Sequence, residues 1–298
     1  MKKVRNILIQ LLNKLSRLFP DKTYLRLQFR LRMGYRLDFD NPKTLSEKIQ
    51  WLKIHDRNPL YTDLVDKYEV KSHVAQKIGG EHIIQTLWVW ERPEDVDFDC
   101  LPRQFVLKTT HGGGNSGVVI CKDKDSFEKQ SAIEKLKKSI KQDIYNDFRE
   151  WPYKNVHKRV IAEQYMEQED GSHLIDYKFF CFNGTPRFVY VSQNIPGMKR
   201  NVSAFLNMEW ELEPFKKASD SYATEVPMRP DMFNELKVIA CKLSKDFPFV
   251  RVDLYEINGQ VYFSELTFYP SSGMQPFEPC EWDRKLGDLL TLPQPISN

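Results

Sequence analysis

The sequence lacks a paired-cysteine pattern, a zinc-type ligand spacing and any long apolar run. Its five cysteines, Cys100, Cys121, Cys181, Cys241 and Cys280, are odd in number, widely spaced and include no CxxC pair. That pattern argues against a disulfide framework or a structural zinc site and for buried thiols in a reducing compartment. No stretch of about 18 apolar residues exists to span a bilayer. The early apolar residues are interrupted by Lys14 and Arg17 with no cleavage site after them, so no secretory signal is expected. Internal repeats and low-complexity tracts are also missing. A cytoplasmic globular protein is the expectation.

What the chain does have is an uneven charge. Residues 1–36 carry ten Lys and Arg against the single acid Asp21, a local charge of +9 inside a total of only +3. Within this piece Val4, Ile7, Leu8, Leu11, Leu12, Leu15 and Leu18 recur at helical spacing until Pro20, and a second basic, apolar segment runs from Thr23 to Met33. Two readings are open. One is a basic amphipathic segment lying on an anionic membrane face, the inner face for a cytoplasmic protein. The other is a packed helix pair with a solvated basic side. Nucleic acid is not expected as a partner, because the basic residues sit in one amphipathic segment without a DNA- or RNA-reading motif.

From Asn41 the chain changes character. Thr44 and Glu47 form a T-x-x-E capping box ahead of Ile49, Trp51, Leu52 and Ile54. One helix is expected over Tyr61–Ile78, closed by Gly79 and Gly80. An apolar segment covers Ile83–Trp90. Strands are expected at Phe105–Lys108 and Gly117–Cys121 around a glycine-rich turn, and a charged helical stretch then runs to about Phe148. Later come a strand at Val160–Met166 and a hairpin of Tyr177–Phe182 with Arg187–Val191 across Asn183-Gly184. A helix is expected over Asp231–Lys245, and a second hairpin of Phe249–Tyr255 with Gln260–Phe268 turns at Asn258-Gly259. Strand-rich segments backed by helices imply an α+β fold.

Four segments carry candidate chemistry. Strand Phe105–Lys108 delivers Lys108 to a turn holding Gly112, Gly113, Gly114 and Gly117. Glycines let backbone N–H groups converge on phosphate oxygens, and a neighbouring lysine adds a point charge. The Walker A pattern is absent, so any phosphate loop here is of another kind. In the last hairpin Arg251 and Asp253 share one strand face, as do Glu265 and Thr267, so Asp253 and Glu265 can project together. Two such carboxylates suit Mg²⁺ held with nucleotide phosphates. The third segment, Val160–Met166, ends in residues that can offer backbone groups to a base edge. In the fourth, Asp176 and Lys178 share a polar strand face. Taken singly, each has an ordinary structural reading as well: a long turn, a solvated hairpin face, a plain strand and a surface ion pair.

In this order the segments resemble the ATP-grasp enzymes, and among them the TupA-like group associated with surface-polysaccharide biosynthesis. The resemblance runs from about Asn41 to Leu290. It is carried by TLSEKIQWL (44–52), LVDKY (64–68), residues 105–117, REWPY (149–153), residues 161–165, DYKFFCFNG (176–184) and residues 247–270. It implies an ATP-grasp fold, with two α+β subdomains whose antiparallel sheets grip ATP. The implied division is a helical segment 1–40, a catalytic region 41–290 (41–104 helical, 105–158 the flap, 159–290 the C-terminal part) and a tail 291–298.

The resemblance also implies roles. Lys67 and Lys108 would be the nucleotide-contacting lysines, and Gly112, Gly113, Gly114 and Gly117 the flap over the phosphates. Glu163, Gln164, Tyr165 and Met166 would hold adenine, with Glu163 using its backbone. Asp176 and Lys178 would face ribose or phosphate, Asp253 and Glu265 would ligate Mg²⁺, and Arg251 would steady an acyl phosphate. Where the family usually has E-x-N, this chain has Glu265-Leu266-Thr267, which leaves a hydroxyl at the third position. The implied activity is ATP-dependent carboxylate–amine ligation. Its partners would be a uronic-acid-containing glycan or lipid-linked precursor and an amino acid or small amine. A nucleotide-sugar glycosyltransferase, a sugar kinase on the same fold and a membrane-attached scaffold are the alternatives.

Overall fold

The computed structural model describes residues 2–114, 116–193, 202–223 and 225–294. It opens with helices α1 (Lys2–Lys14), α2 (Asp21–Met33), α3 (Leu45–His55), α4 (Leu60–Val65) and α5 (Glu69–Ile78). Strands β1 (Thr86–Trp90), β2 (Phe105–Thr109) and β3 (Val118–Cys121) follow, then α6 (Lys129–Ile140), α7 (Ile144–Phe148) and β4 (Val160–Gln164). Next come β5 (Asp176–Phe182), β6 (Thr185–Gln193), β7 (Val202–Leu206), β8 (Lys216–Lys217) and β9 (Ser221–Tyr222). The chain closes with α8 (Phe233–Ser244), β10 (Phe249–Ile257), β11 (Gln260–Thr267), β12 (Phe277–Glu278) and α9 (Glu281–Asp288). This is the expected α+β class. The thiols, however, are not all buried as expected: Cys121 and Cys181 are, whereas Cys100, Cys241 and Cys280 are exposed, because they fall on loops and the outer face of α8 rather than in a core.

Two sheets position everything that follows. The smaller has the order β1-β4-β2-β3 and the larger β11-β10-β5-β6-β7-β9, while β12 and β8 form a short pair. Pairing is antiparallel apart from β7 with β9. Each sheet has its own apolar core. Phe105, Leu107, Val160 and Ala162 of the smaller sheet pack with Phe98 and Leu136. Val250, Val252 and Leu254 of the larger sheet join Phe233, Leu236 and Ala240 of α8. Alternation then sends Val106 and Lys108 to the opposite face of the smaller sheet, and Arg251 and Asp253 to the opposite face of the larger. The expected boundary at 158/159 falls just before β4, which sits in the smaller sheet between β1 and β2.

The local chemistry explains most elements. Thr44 accepts from the Glu47 N–H while Glu47 accepts from the Thr44 N–H, closing the capping box of α3. Both Asn-Gly turns put two residues at positive φ (Asn183 48°, Gly184 76°; Asn258 52°, Gly259 74°), the conformation that two-residue hairpins require.

Three expectations are corrected. The helix drawn over Tyr61–Ile78 is two helices, because the Asp66 carboxylate accepts from the N–H groups of Tyr68 (2.8 Å) and Glu69 (3.3 Å) and competes with helical hydrogen bonding. The stretch running to Phe148 is likewise divided, into α6 and α7, and Asp143 caps the second by accepting from Asn146 N–H at 3.1 Å. The third concerns the N-terminal helices. α2 buries Leu25 and Phe29 completely in the larger core, but α1 turns its apolar stripe outward. Leu12 is buried, whereas Val4, Ile7, Leu8, Leu11 and Leu15 are 46–61% exposed. A packed pair with only a basic side in water is therefore not what forms.

Candidate functional site

The site is built first from the larger sheet. Register places Glu265 of β11 opposite Asp253 of β10, Asp253 opposite Lys178 of β5, and Lys178 opposite Tyr190 of β6. Directly paired residues face the same side of a sheet, so these four form a row across it. Arg251, two residues before Asp253, lies on that face too. Its guanidinium donates to Asp253 Oδ1 (2.7 Å) and Oδ2 (2.5 Å), to Glu265 Oε1 (2.9 Å) and to Thr267 Oγ1 (3.0 Å). The Thr267 hydroxyl in turn donates to Glu265 Oε1 at 3.0 Å. Lys178 bridges Asp253 Oδ2 (3.1 Å) and Asp176. The last hairpin brings Arg251, Asp253, Glu265 and Thr267 to one face, as its alternation predicts, and the pairing of β10 with β5 adds Lys178 and Asp176.

The smaller sheet and the break between α4 and α5 add cations from the other side. The chain leaves helical geometry at Asp66, and Lys67 N–H then donates to Thr110 O at 2.9 Å. The Lys67 ammonium donates to Gly112 O and stands 4.0 Å from Glu265 Oε2. Lys67 thus touches both the glycine-rich turn and the carboxylate row. Lys108 and Lys71 each reach Glu163, at 2.5 Å to separate oxygens. Lys67, Lys71, Lys108, Glu163 and Ser264 line one small cleft.

Glu163 departs from expectation. Its strand lies between β1 and β2, so its backbone belongs to the ladder, and its side chain is buried as the counter-ion of two lysines. Gln164 N–H donates to Gln85 O at 3.0 Å. Tyr165 and Met166 lie past the strand, where the chain crosses toward β5. Sequence reasoning missed Lys71, whose side chain also donates to Ile84 O (2.8 Å) and Thr86 Oγ1 (2.7 Å). Its signal was its place four residues after Lys67 in a segment read as one helix. Lys217 was missed as well. It sits on the two-residue strand β8, too short for any periodicity to reveal.

The glycines separate into two kinds. At Gly112 and Gly117 a Cβ would collide with Thr109 Oγ1, and at Gly117 with Ser139 Oγ as well, so packing alone requires glycine there. Gly113 and Gly114 have open space around them, and Gly114 has a positive φ of 59°. These two are the positions left free to meet a ligand.

Electrostatics bind the cluster together. Burial pushes Glu265 up, but Lys67, Arg251 and Lys178 outweigh it and hold the carboxyl down at about 2. Glu163 is also held low, since Lys108 and Lys71 overcome its burial. Burial and the neighbouring Asp253 raise Asp176 to about 7. Lys67 is lowered by burial, against the pull of Glu265. Among the described residues no three His, Cys, Asp or Glu side chains gather into a metal cage. Mg²⁺ needs fewer, since it takes one or two protein carboxylates with phosphate oxygens and water. Asp253 and Glu265 are two carboxylates of the kind that could hold it, set among lysines and an arginine whose charge would complement phosphate.

No curated protein matches the sequence. Among solved structures, D-alanine–D-alanine ligase from Bacillus anthracis complexed with ATP is similar at 18% identity and a TM-score of 0.40 over 69% of this chain and 55% of that one. D-Alanine–D-alanine ligase from Helicobacter pylori is similar at 18% identity and a TM-score of 0.40, over 76% of this chain and 61% of its own. The ATP-grasp ligase PsnB, complexed with a phosphomimetic variant of its minimal precursor, Mg and ADP, is similar at 11% identity and a TM-score of 0.43, over 82% and 64%. The chain therefore spans less than two thirds of the length of these proteins. Likenesses this distant do not decide what it binds. The sequence itself matches the family described as TupA-like ATPgrasp over residues 47–291. That match takes in both sheets and the whole of the carboxylate row, and the chain belongs to the TupA-like ATP-grasp family.

Proposed function

We propose that this protein is a Mg–ATP-dependent carboxylate–amine ligase working through an acyl phosphate. The observation that carries the reading is the meeting of Lys67 with Glu265, which joins the lysines of the smaller sheet to the Arg251–Asp253–Glu265 cluster of the larger. A triphosphate lying between them would meet lysine ammonium groups on one side and the carboxylate row on the other. Mg²⁺, held by Asp253 and Glu265 with Thr267 beside them, would supply charge neutralisation at the phosphates. Lys67, Lys108, Lys178 and Arg251 offset charge that develops during transfer. Gly113 and Gly114 cover the phosphates, and adenine rests against Gln164, Tyr165 and Met166, with Asp176 toward the ribose.

In the first step an oxygen of the substrate carboxylate forms a bond to the γ-phosphorus and the bridging P–O bond breaks, releasing ADP. In the second, the amine nitrogen attacks the carbonyl carbon, the C–O bond to phosphate breaks, and a proton is lost from nitrogen. Excluding water protects the acyl phosphate between the steps. The acid is a uronic acid of a surface polysaccharide or its lipid-linked precursor, and the amine an amino acid or small amine. Work takes place in the cytoplasm at the inner membrane face, where the outward apolar side of α1 and the basic residues around it meet anionic lipid.

The test is ADP release with D-glucuronate and a panel of amino acids. Turnover is expected only with acid and amine together, and Asp253→Ala lowers it by about 10²–10³. A stable phosphorylated product without the amine points to a kinase, and UDP release from a nucleotide sugar to a transferase; either result overturns the ligase reading.

A further inference from the structure

Among the described residues, six cations surround the site: Lys67, Lys71, Lys108, Lys178, Lys217 and Arg251. Five have a carboxylate oxygen within 4.0 Å; among the described residues, Lys217 has none. The acid nearest along the chain, Asp220, is buried and hydrogen-bonded elsewhere. It accepts from Tyr190 Oη (2.8 Å), Ser203 Oγ (3.0 Å) and Ser219 Oγ (2.8 Å). Lys217 instead rests on the Tyr190 ring, with Nζ 3.6 Å from its centroid. Tyr190 continues the Glu265–Asp253–Lys178 row, so this ammonium stands on the same face of the larger sheet. Burial and the nearby Arg251 push it down to about 7. A crowded cation without a counter-ion is unfavourable in the free protein and is resolved when an anion arrives.

A second observation marks the same place. Lys217, Ser271 and Gln275 are polar side chains at a small cleft otherwise walled mainly by Leu45, Ile49, Phe180 and Phe277, and Phe180 is the register partner of Arg251. The loop forming one wall holds Ser271, Ser272 and Gly273 at φ of 49°, 58° and 62° in succession. Serines persist in that region only when their surroundings hold them. Here Gln50 Nε2 donates to Ser272 O (3.0 Å) and Gly273 O (3.1 Å), while Lys53 Nζ donates to Ser272 O (2.8 Å) and Oγ (2.7 Å). The side chains of Ser271 and Gln275 have no hydrogen-bond partner among the described residues and remain available in the cleft.

We infer that Lys217, with Ser271 and Gln275, forms the subsite that holds the carboxylate of the acid substrate beside Arg251. This rests on the ligase reading and assigns it a specificity residue at Tyr190, the register partner of Lys178. The hydroxyl and amide suit an acid that carries hydroxyl groups, and the ammonium selects a carboxylate over the matching neutral sugar.

The experiment uses the full chain and calorimetric titration with D-glucuronate, with D-glucose as its neutral counterpart, for wild type, Lys217→Met and Lys217→Arg. Glucuronate is expected to bind wild type in preference to glucose. Removing one member of a desolvated charge pair lowers affinity by about 10²-fold in Lys217→Met, and Lys217→Arg keeps most of it. Titration with a non-hydrolysable ATP analogue and Mg²⁺ is read separately. Equal glucuronate binding by wild type and Lys217→Met overturns the inference, as does wild type that fails to prefer glucuronate. Loss of nucleotide affinity in Lys217→Met overturns it too, by assigning the lysine to the phosphates. Failure of the ligase reading shows differently, as wild type that binds no nucleotide.

Discussion

His111 stands at the root of the glycine-rich turn, buried, with neither ring nitrogen hydrogen-bonded among the described residues. Burial, with Lys158 and Lys67 close by, pushes its imidazole from 6.5 down to about 4. The folded state therefore keeps it neutral where the unfolded chain already binds a proton. Its contribution is intact above pH 6.5 and is lost as pH falls toward 4, at up to about 1.4 kcal/mol per pH unit. A His111→Gln variant lacks this dependence. Urea unfolding from pH 7 to 4 should show wild type losing stability relative to the variant as pH falls; parallel curves would refute the assignment. Single residues such as Asp253 and Glu265 were legible before folding, because strand alternation and an Asn-Gly turn set which faces they share. Glu163 was not legible as a counter-ion, since its partners Lys71 and Lys108 come from a helix and another strand.

At the scale of elements, the turn between β2 and β3 combines two demands on glycine. Thr109 Oγ1 and Ser139 Oγ are hydrogen-bonded at 2.8 Å, and a Cβ at Gly117 would push into both. Overpacking of this kind costs about 1–3 kcal/mol, so Gly117→Ala should lower the urea midpoint accordingly. Gly113→Ala meets nothing and should leave stability within about 0.5 kcal/mol of wild type. Its effect is expected on affinity for the ATP analogue instead, and unchanged affinity would remove Gly113 from the flap. The composition of the turn announced a flexible loop, but four glycines in sequence look alike. Only the packing of α6 behind the turn, through Ser139, tells them apart. The break between α4 and α5 is a similar case. Apolar periodicity ran through it, and the carboxylate of Asp66, tied at 3.1 Å by Arg159 as well, overrode that pattern.

At the scale of the molecule, α1 presents an apolar stripe to solvent while α2 behind it belongs to the core. Truncating residues 1–36 would remove Leu25 and Phe29 with the stripe and damage the fold. Point changes are the cleaner probe. Leu8→Glu with Leu11→Glu should abolish sedimentation with phosphatidylserine vesicles. The melting temperature should stay near that of wild type, because both side chains are about half exposed. Equal sedimentation of variant and wild type, or equal binding to purely phosphatidylcholine vesicles, would exclude an anionic-membrane role.

By itself, the sequence determined the α+β class, the two Asn-Gly hairpins, the α3 cap and the sharing of one strand face by Arg251 and Asp253. These depend on backbone and side-chain preferences acting over a few residues, and such preferences survive without knowledge of the rest of the chain. Tertiary structure alone decided that Lys67 reaches Glu265, that two lysines close on Glu163 and that Lys217 has no carboxylate partner among the described residues. Those outcomes depend on distances between segments remote in the chain, which are set when the two sheets and the helices between them pack.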